Sequence, residues 1–327
     1  MPVQSTADIK GVQATSRFMP VQLHMLRRLS RTPADLCLLT KGEAEPILYH
    51  RAGFPIDPGQ LERLAESGVQ QIYVRTDQFQ DFAQCLLETL DASVDPVPPG
   101  ERYAALQLAM AVEIEHAARL MDCGPYVAVA EKLGRELTTL LIGNNVLPQD
   151  LYCLARHDFN TFSHVTNVAS YGVILGERLG LCDASEYELL TRAAILHDIG
   201  KRFIPASILS KPAKLTPEER AIIETHPQRG YEELVSRDDM NEAQLMAVYQ
   251  HHERYDGKGY PVGFAGEEIH PWARMLAVVD VFDAMTGIRP YRRPCSAQDA
   301  LDYINKNAGT HFDPEMVACW NSTMAKS

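Results

Sequence analysis

Histidines and aspartates that could bind metal ions are concentrated in the second half of the chain. In chain order they are His164, His197, Asp198, His226, His251, His252 and Asp280. Mixed imidazole and carboxylate ligands suit Fe, Mn or Zn, and the absence of cysteine from this set argues against a structural zinc. The set therefore indicates a metal site that holds more than one ion.

The chain contains two His-Asp doublets, His157-Asp158 and His197-Asp198, and the second has the more informative surroundings. It follows the apolar segment Arg192–Leu196 and precedes Ile199–Lys201. A carboxylate beside an imidazole on a buried helix face costs several kcal/mol unless the groups are paired or bound to a metal. Asp198 could bridge two cations, while His197 binds one of them.

The His251-His252 pair closes another helical segment and leads into a glycine-rich loop that ends at Tyr260-Pro261. Adjacent side chains on a helix diverge by about 100°. We therefore expect the two imidazoles to serve two neighbouring ions rather than to chelate one.

The elements that must position these residues differ between the two ends of the chain. Residues 1–95 mix helix and strand patterns, which predicts a small α/β or α+β module. The predicted elements are a helix at Val21–Arg28, strands at 35–40, 46–49 and 71–74, and a helix at Pro58–Glu66. The proline cluster in Ser93–Gly100 marks a boundary, connecting helices follow over 101–149, and 150–327 is predicted to be all-α. The protein as a whole is thus predicted to be mostly α.

Helix ends in the second region carry clear signals. Thr216, Pro217 and Glu219 form a capping-box pattern. Pro227 places His226 at a helix boundary. Asp280 and Asp283 lie three residues apart in an apolar helix and therefore share one face.

The bulk composition narrows the class of protein. The formal net charge is −12, which disfavours DNA binding because that binding depends on phosphate neutralisation by Lys and Arg. No apolar run reaches the roughly 18 residues of a membrane span, and no signal peptide is visible. The seven cysteines are scattered, which favours reduced thiols in the cytoplasm.

The two motifs together resemble one known family. His197–Lys201 and His251–Pro261 are similar to the HD-GYP branch of the HD phosphohydrolase superfamily, and the resemblance covers about residues 150–323. It continues through Ala273-Arg274, Asp280–Thr286, Arg289–Arg292, Gly309 and Phe312–Pro314. The resemblance implies an all-α domain that hydrolyses the bacterial second messenger cyclic di-GMP to the linear dinucleotide, and in some members to GMP.

The resemblance also implies roles for individual residues. The implied metal ligands are His164, His197, Asp198, His226, His251, His252 and Asp280. Lys201 would contact the scissile phosphate or the water held by the metals. Asp283, Arg289 and Arg292 would contact the substrate or hold the site together, and Tyr260 and Pro261 would shape the loop beside it.

The number of metal ions follows from one departure from the family pattern. Members with three metals have a Glu four residues before the first histidine, and this chain has Asn160 there. An amide is a weaker ligand than a carboxylate, so we expect two divalent ions, with Fe or Mn favoured. Two cations bridged by Asp198 would lower the pKa of a shared water and make hydroxide available near neutral pH.

Two alternatives stay open at this point. The domain could be a catalytically weak cyclic di-GMP sensor or a protein-interaction module that retains the metal site. The enzyme could instead act on another cyclic dinucleotide or on a linear nucleotide. The expected partners are the cyclic dinucleotide, a diguanylate cyclase or another signalling protein, and a second copy of the chain in a homodimer.

Overall fold

The structure is a computed structural model. The residues it describes are 17–40, 43, 45–91, 97–118, 120–142, 146, 148, 151, 161–183, 185–209, 211, 213–287 and 294–325. The chain divides into two compact units, residues 1–113 and 114–327. Among the described residues, no helix is long and apolar enough to cross a membrane.

Unit 1 contains a four-stranded antiparallel sheet in the order β1-β4-β2-β3. Its strands are β1 (Phe18–Gln22), β2 (Leu36–Leu38), β3 (Ile47–His50) and β4 (Gln71–Arg75). Its helices are α1 (Pro58–Glu66), α2 (Phe79–Asp91) and the first part of α3 (Pro99–Ala118), with 3₁₀ turns at Leu23–Arg28 and Thr76–Gln78. The predicted small mixed module is therefore present, in its α+β form.

Local signals account for most of unit 1. Asp57 caps α1 by accepting a hydrogen bond from the amide of Gly59, and Pro58 occupies the first helical position, where its missing N–H is not needed. The predicted helix at Val21–Arg28 is wrong in its first two residues, because Val21 and Gln22 belong to β1. Only Leu23–Arg28 is helical, and it is a 3₁₀ helix.

The hydrophobic core of unit 1 extends into α3. Ala105 and Ala109 pack in the same buried cluster as Ile72, Val74 and Phe82. A chain that began at residue 101 would therefore expose apolar surface that this core covers. The module boundary at the proline cluster stays a prediction.

The described part of unit 2 consists of helices joined by loops, as the sequence predicts. After the end of α3, its helices are α4 (Gly124–Leu141), α5 (Thr161–Leu179), α6 (Tyr187–Leu196), α7 (Ala206–Leu209), α8 (Pro217–Ile223), α9 (His226–Leu234), α10 (Glu242–Gln250), α11 (Pro271–Thr286), α12 (Ala297–Lys306) and α13 (Pro314–Met324). The predicted capping box is confirmed at Thr216 and Glu219. The predicted helix boundary is confirmed at His226.

Helices α5 and α11 form the centre of unit 2, where they pack together. Tyr171 of α5, Phe282 of α11 and Trp320 of α13 form a buried cluster with ring centroids 5.1–5.7 Å apart. The same helix pair carries His164 and Asp280, so aromatic packing holds two candidate ligands opposite each other.

Candidate metal centre

The His197-Asp198 doublet emerges from the buried end of α6. Every residue of this helix from Leu190 to Leu196 is buried. His197 and Asp198 are themselves only 1% and 8% exposed. The apolar helix thus brings an imidazole and a carboxylate into the core, where polar groups need partners.

The 3₁₀ turn Ile199–Phe203 packs against the first turn of α9 with no space for a side chain between them. A Cβ atom on Gly200 would lie 1.9 Å from the carbonyl oxygen of His226 and 2.6 Å from the amide nitrogen of Gly230. This close approach sets the position of His226 relative to Asp198. His226 Nε2 lies 3.2 Å from Asp198 Oδ1.

Three imidazole rings are oriented by the same kind of hydrogen bond, in which Nδ1 bonds to the backbone carbonyl oxygen three residues earlier. They are His197, His226 and His251, with distances of 2.6, 2.8 and 2.8 Å to Ala194, Ile223 and Val248. A carbonyl oxygen only accepts, so Nδ1 carries the proton and Nε2 of the neutral ring presents a lone pair. That is the form in which histidine binds a metal.

Asp198 directs its two carboxylate oxygens at different histidines. Oδ1 lies 3.2 Å from His226 Nε2 and 3.9 Å from His251 Nε2. Oδ2 lies 3.3 Å from His197 Nε2 and 3.8 Å from His164 Nε2. The carboxylate therefore stands between two sets of nitrogen ligands.

The candidate ligands fall into two groups, each with its ligand atoms within 4.8 Å of one another. We call them the Asp198 group and the Asp280 group. The Asp198 group is Asp198, His226, His251 and His252, and the Asp280 group is His164, His197 and Asp280. All seven ligands named from the sequence belong to one group or the other.

The adjacent histidines differ from the expectation that they diverge. Helix α10 ends at Gln250, so His251 and His252 lie beyond the regular helix. Their ring centroids are 4.2 Å apart, and both belong to the Asp198 group. This grouping does not match the expectation that the two imidazoles serve two separate ions.

Helix α11 supports His164 from behind. Asp283 Oδ2 lies 2.7 Å from His164 Nδ1, and Asn167 donates to Asp283 Oδ1 at 2.9 Å. Burial lowers the pKa of His164, but the hydrogen bonds with Asp280 and Asp283 outweigh it and raise the pKa to about 9. A carboxylate behind a metal-binding histidine orients the ring and raises its basicity. Of the two predicted roles for Asp283, this geometry favours holding the site together over contacting substrate.

At Asp198, His251 and His252 the electrostatics favour the protonation states that can bind a cation. Burial lowers the pKa of His252 to about 3, and burial with the neighbouring histidines lowers the pKa of His251 well below its usual value. Burial alone would raise the pKa of Asp198, but Lys201 and His197 hold it well below its usual range. Neutral imidazoles and an ionised carboxylate are the forms that bind metals.

Several buried polar atoms in the described part of the centre also lack a partner that a cation would supply. Among the described residues, the buried atoms His197 Nε2 and Asp198 Oδ1 have no hydrogen-bond partner. His226 Nε2 and His251 Nε2 lie 3.2 Å apart, although each presents a lone pair. An unsatisfied buried polar group costs about 1–3 kcal/mol. Divalent cations would satisfy these atoms, so the residues fit a metal centre.

Lys201 lies at the edge of this centre. Its Nζ donates to Asp198 Oδ2 at 2.5 Å, and its side chain is 34% exposed. The ammonium group is thus held at the carboxylate while part of the side chain remains open to solvent. It can contact a ligand that approaches the metals.

The loop after the histidine pair is folded back onto Glu253, whose role sequence reasoning missed. This buried carboxylate accepts hydrogen bonds from the amides of Val262 and Gly263 at 2.8–3.0 Å. Tyr260 stacks on His252 with ring centroids 4.8 Å apart. The signal available in the sequence was an acidic residue directly after the histidine pair and before a glycine-rich turn.

Glu253→Gln is expected to lower kcat/KM about tenfold while the metal content stays unchanged, because loss of charge-assisted hydrogen bonds loosens the loop by roughly 1.5–3 kcal/mol. Steady-state kinetics and elemental analysis would measure both quantities. Glu268→Gln is the matched control, since exposed Glu268 bonds only within its own turn. Equal kinetics for the two variants would remove Glu253 from the positioning of the loop.

Comparisons with known proteins decide the family. The HD domain profile matches residues 152–316, just over half of the 327 residues. A cyclic di-GMP phosphodiesterase of Pseudomonas aeruginosa is 33% identical in an alignment 313 residues long, which covers 89% of this chain and 75% of that protein. The chain belongs to the HD-GYP family.

Two further comparisons extend this result. A 3'3'-cGAMP-specific phosphodiesterase of Vibrio cholerae is 37% identical to this HD-GYP protein in an alignment 282 residues long, which covers 85% of this chain and 57% of that protein. An HDG"Y"P protein from Bdellovibrio bacteriovorus has the same fold, with a TM-score of 0.65 at 18% identity. The match covers 94% of this chain and 99% of that chain.

Some HD-GYP positions named from the sequence have no described geometry. Arg289 and Arg292, the predicted substrate contacts, and Asn160, at the place of the third-metal ligand, lie outside the described residues. Pro261 is described and follows Tyr260 in the loop that Glu253 holds. The described geometry therefore covers the seven candidate metal ligands, Lys201 and the loop.

Proposed function

We propose that this HD-GYP protein is a metal-dependent phosphodiesterase that opens a cyclic dinucleotide. Cyclic di-GMP is the first expected substrate, with linear pGpG as the product and GMP as the product of a second cleavage. The similar proteins from Pseudomonas aeruginosa and Vibrio cholerae, named for cyclic di-GMP and 3'3'-cGAMP hydrolysis, support this substrate class.

The position of Asp198 carries the proposal. Its Oδ1 faces His226 and His251 of the Asp198 group, and its Oδ2 faces the two histidines of the Asp280 group. A carboxylate in this position can bridge two cations, one in each group. A site for a single ion would not need separate ligand sets on the two oxygens of Asp198.

Two divalent ions, with Fe or Mn favoured by the mixed nitrogen and oxygen ligands, would supply Lewis-acid stabilisation and a nucleophile at neutral pH when bound. Three histidines around the ions keep their ring proton on Nδ1, the nitrogen that points away from the metal site. Nδ1–H of His197, His226 and His251 is committed to backbone carbonyls. Every Nε2 lone pair of these rings is thereby available to the centre.

The remaining residues would bind and orient the substrate. Lys201 would stabilise negative charge that develops on the phosphoryl oxygens. Arg289 and Arg292 would clamp the second phosphate or a guanine edge, as bidentate guanidinium groups do. Tyr260 would line the entrance, since its ring covers His252.

Lys201→Ala is expected to reduce kcat by about 10²–10³-fold, the scale seen when one donor to the transition state is removed. The metal content should stay the same because Lys201 is not a ligand. Single-turnover hydrolysis and elemental analysis would separate the two effects. Lys214→Ala, at an exposed lysine, is the control and should keep the wild-type kcat. A wild-type kcat in Lys201→Ala would show that the role assigned to Lys201 is wrong.

Protein purified without oxygen is expected to contain about two metal ions per chain, because Asn160 replaces the carboxylate of three-metal members and favours the lower number. Elemental analysis would measure the stoichiometry. Asn160→Glu should then raise the count towards three. A wild-type count near three would contradict the role given to Asn160.

The substrate class can be tested with a panel of nucleotides. Metal-loaded protein would be assayed with cyclic di-GMP, 3'3'-cGAMP and linear pGpG, and kcat/KM would be compared. The proposal predicts efficient opening of at least one cyclic dinucleotide, with slower cleavage of the linear dinucleotide. Efficient cleavage of pGpG alone would instead assign the site to linear nucleotides.

A further inference from the structure

Strand β3 presents apolar side chains to solvent at one edge of the sheet in unit 1. Ile47, Leu48 and Tyr49 are 49%, 50% and 36% exposed. β3 is the last strand in the order β1-β4-β2-β3, so within the described residues no strand pairs with its outer edge. Because side chains alternate between faces along a strand, three consecutive exposed residues leave both faces of the edge open.

Such an edge is a template for pairing with another strand. Proteins usually protect exposed edges with lysine, proline, bulges or inward-pointing charges. The residues of β3, Ile47–His50, include neither lysine nor proline, and Pro46 stands directly before the strand, where proline is tolerated. The bulge beside it lies between Leu36 and Cys37 of β2, on the inner side of β3.

We propose that β3 pairs antiparallel with β3 of a second copy of this chain, which joins the two four-stranded sheets across a two-fold axis. Closed two-fold symmetry is the commonest arrangement of homo-oligomers, and it lets one surface serve both partners. The proposal is independent of the catalytic function and concerns unit 1 alone.

Symmetry restricts the register of this pairing. Residues opposite each other in an antiparallel pair have side chains on the same face. A two-fold axis must therefore pass between one residue and its own copy. Within the exposed run, that residue is Ile47, Leu48 or Tyr49.

A two-fold axis at Leu48 places apolar residues opposite apolar residues and an acidic residue opposite a basic one. It sets Ile47 opposite Tyr49 of the second copy, and it sets Glu45 opposite Arg51. Glu45 lies in a bend before Pro46, Arg51 directly follows the strand, and both residues are exposed. The Ile47–Tyr49 and Glu45–Arg51 pairs each occur twice because of the symmetry, on either side of a central Leu48–Leu48 pair. Pro46 opposite His50 separates the apolar pairs from the charged pairs. Apolar and oppositely charged cross-strand pairs of this kind are stabilising.

The other two symmetric registers match less well. An axis at Tyr49 sets Arg51 against Ile47 and leaves Glu45 without an opposite charge. An axis at Ile47 sets Glu45 against Tyr49 and requires Arg51 to reach Glu43, which lies in a turn closed by a bond from its own amide. Charge complementarity thus selects the register centred on Leu48.

The test is a charge exchange in the full-length chain, followed by sedimentation velocity across a range of concentrations. Glu45→Arg and Arg51→Glu should each weaken dimerisation about tenfold or more, since each sets like charges opposite each other twice. The double variant Glu45→Arg/Arg51→Glu should restore the wild-type dissociation constant. Circular dichroism would show that each variant remains folded.

Leu48→Lys should give a monomer, whereas Val235→Lys, at a residue of similar exposure in unit 2, should leave the dimer intact. A wild-type chain that is monomeric at every concentration would overturn the proposal. A dimer that tolerates Leu48→Lys and both single charge exchanges would also overturn it, because its interface would lie elsewhere.

Discussion

Asp198→Ala is expected to abolish turnover and to remove most of the bound metal. Asp198 is the residue whose two oxygens face the two ligand groups, so its loss would remove a candidate ligand from both groups at once. Asp198→Asn should have nearly the same effect on activity, because an amide keeps the shape of the side chain but is a poor bridging ligand. Elemental analysis and a hydrolysis assay on the same preparation would measure both consequences.

The control is Asp302→Ala, which removes an exposed carboxylate from α12. It should retain full metal content and activity. If Asp198→Ala kept two metal ions per chain and hydrolysed cyclic di-GMP, the bridging geometry would have no bearing on the chemistry.

Gly200→Ala is expected to destabilise unit 2 by about 3 kcal/mol, near the upper end for overpacked sites. The added Cβ would lie 1.9 Å from the carbonyl oxygen of His226. Backbone atoms cannot yield as a flexible side chain can, so α9 must move away from the 3₁₀ turn. That movement separates His226 from Asp198, and metal content should fall together with the free energy of unfolding.

A graded series of glycine substitutions provides the control. A Cβ at Gly172 would meet only side-chain atoms at 3.4 Å or more, and a Cβ at Gly230 would meet Val248 Cγ1 at 3.0 Å. Gly172→Ala should be neutral or stabilising, because alanine favours a helix by about 1 kcal/mol over glycine. The free energy of unfolding of Gly230→Ala should lie between those of Gly200→Ala and Gly172→Ala. Urea unfolding would give the order, and equal stability of Gly200→Ala and Gly172→Ala would contradict the close contact.

The parts of the fold that sequence reasoning predicted well are those with local chemistry. Thr216 and Glu219 satisfy backbone groups within their own helix turn, and Pro58 starts α1 for the same local reason. Strand β1 was missed because Phe18–Gln22 contains a proline and lacks a clear alternation. It is a strand because it pairs with β4 along the other edge of the sheet, and an edge strand tolerates proline.

The candidate site shows the same division. The residue types and their order indicated a centre for several ions, but they did not give the orientation of each ring. The carbonyl groups that orient His197, His226 and His251 follow from local chain geometry that no side-chain pattern encodes. The grouping of His252 with His251 likewise could not be inferred from the residue types. The catalytic and ligand roles of these residues stay predictions.

The most direct test of the central claim is chromatography of the reaction products. Fe-loaded or Mn-loaded wild-type protein, prepared without oxygen, would be incubated with cyclic di-GMP beside the Asp198→Ala variant. The proposed phosphodiesterase releases linear pGpG from the wild type and none from the variant. Tight binding of cyclic di-GMP by both metal-loaded forms of the wild type, with no linear product over hours, would contradict hydrolysis and identify the domain as a receptor.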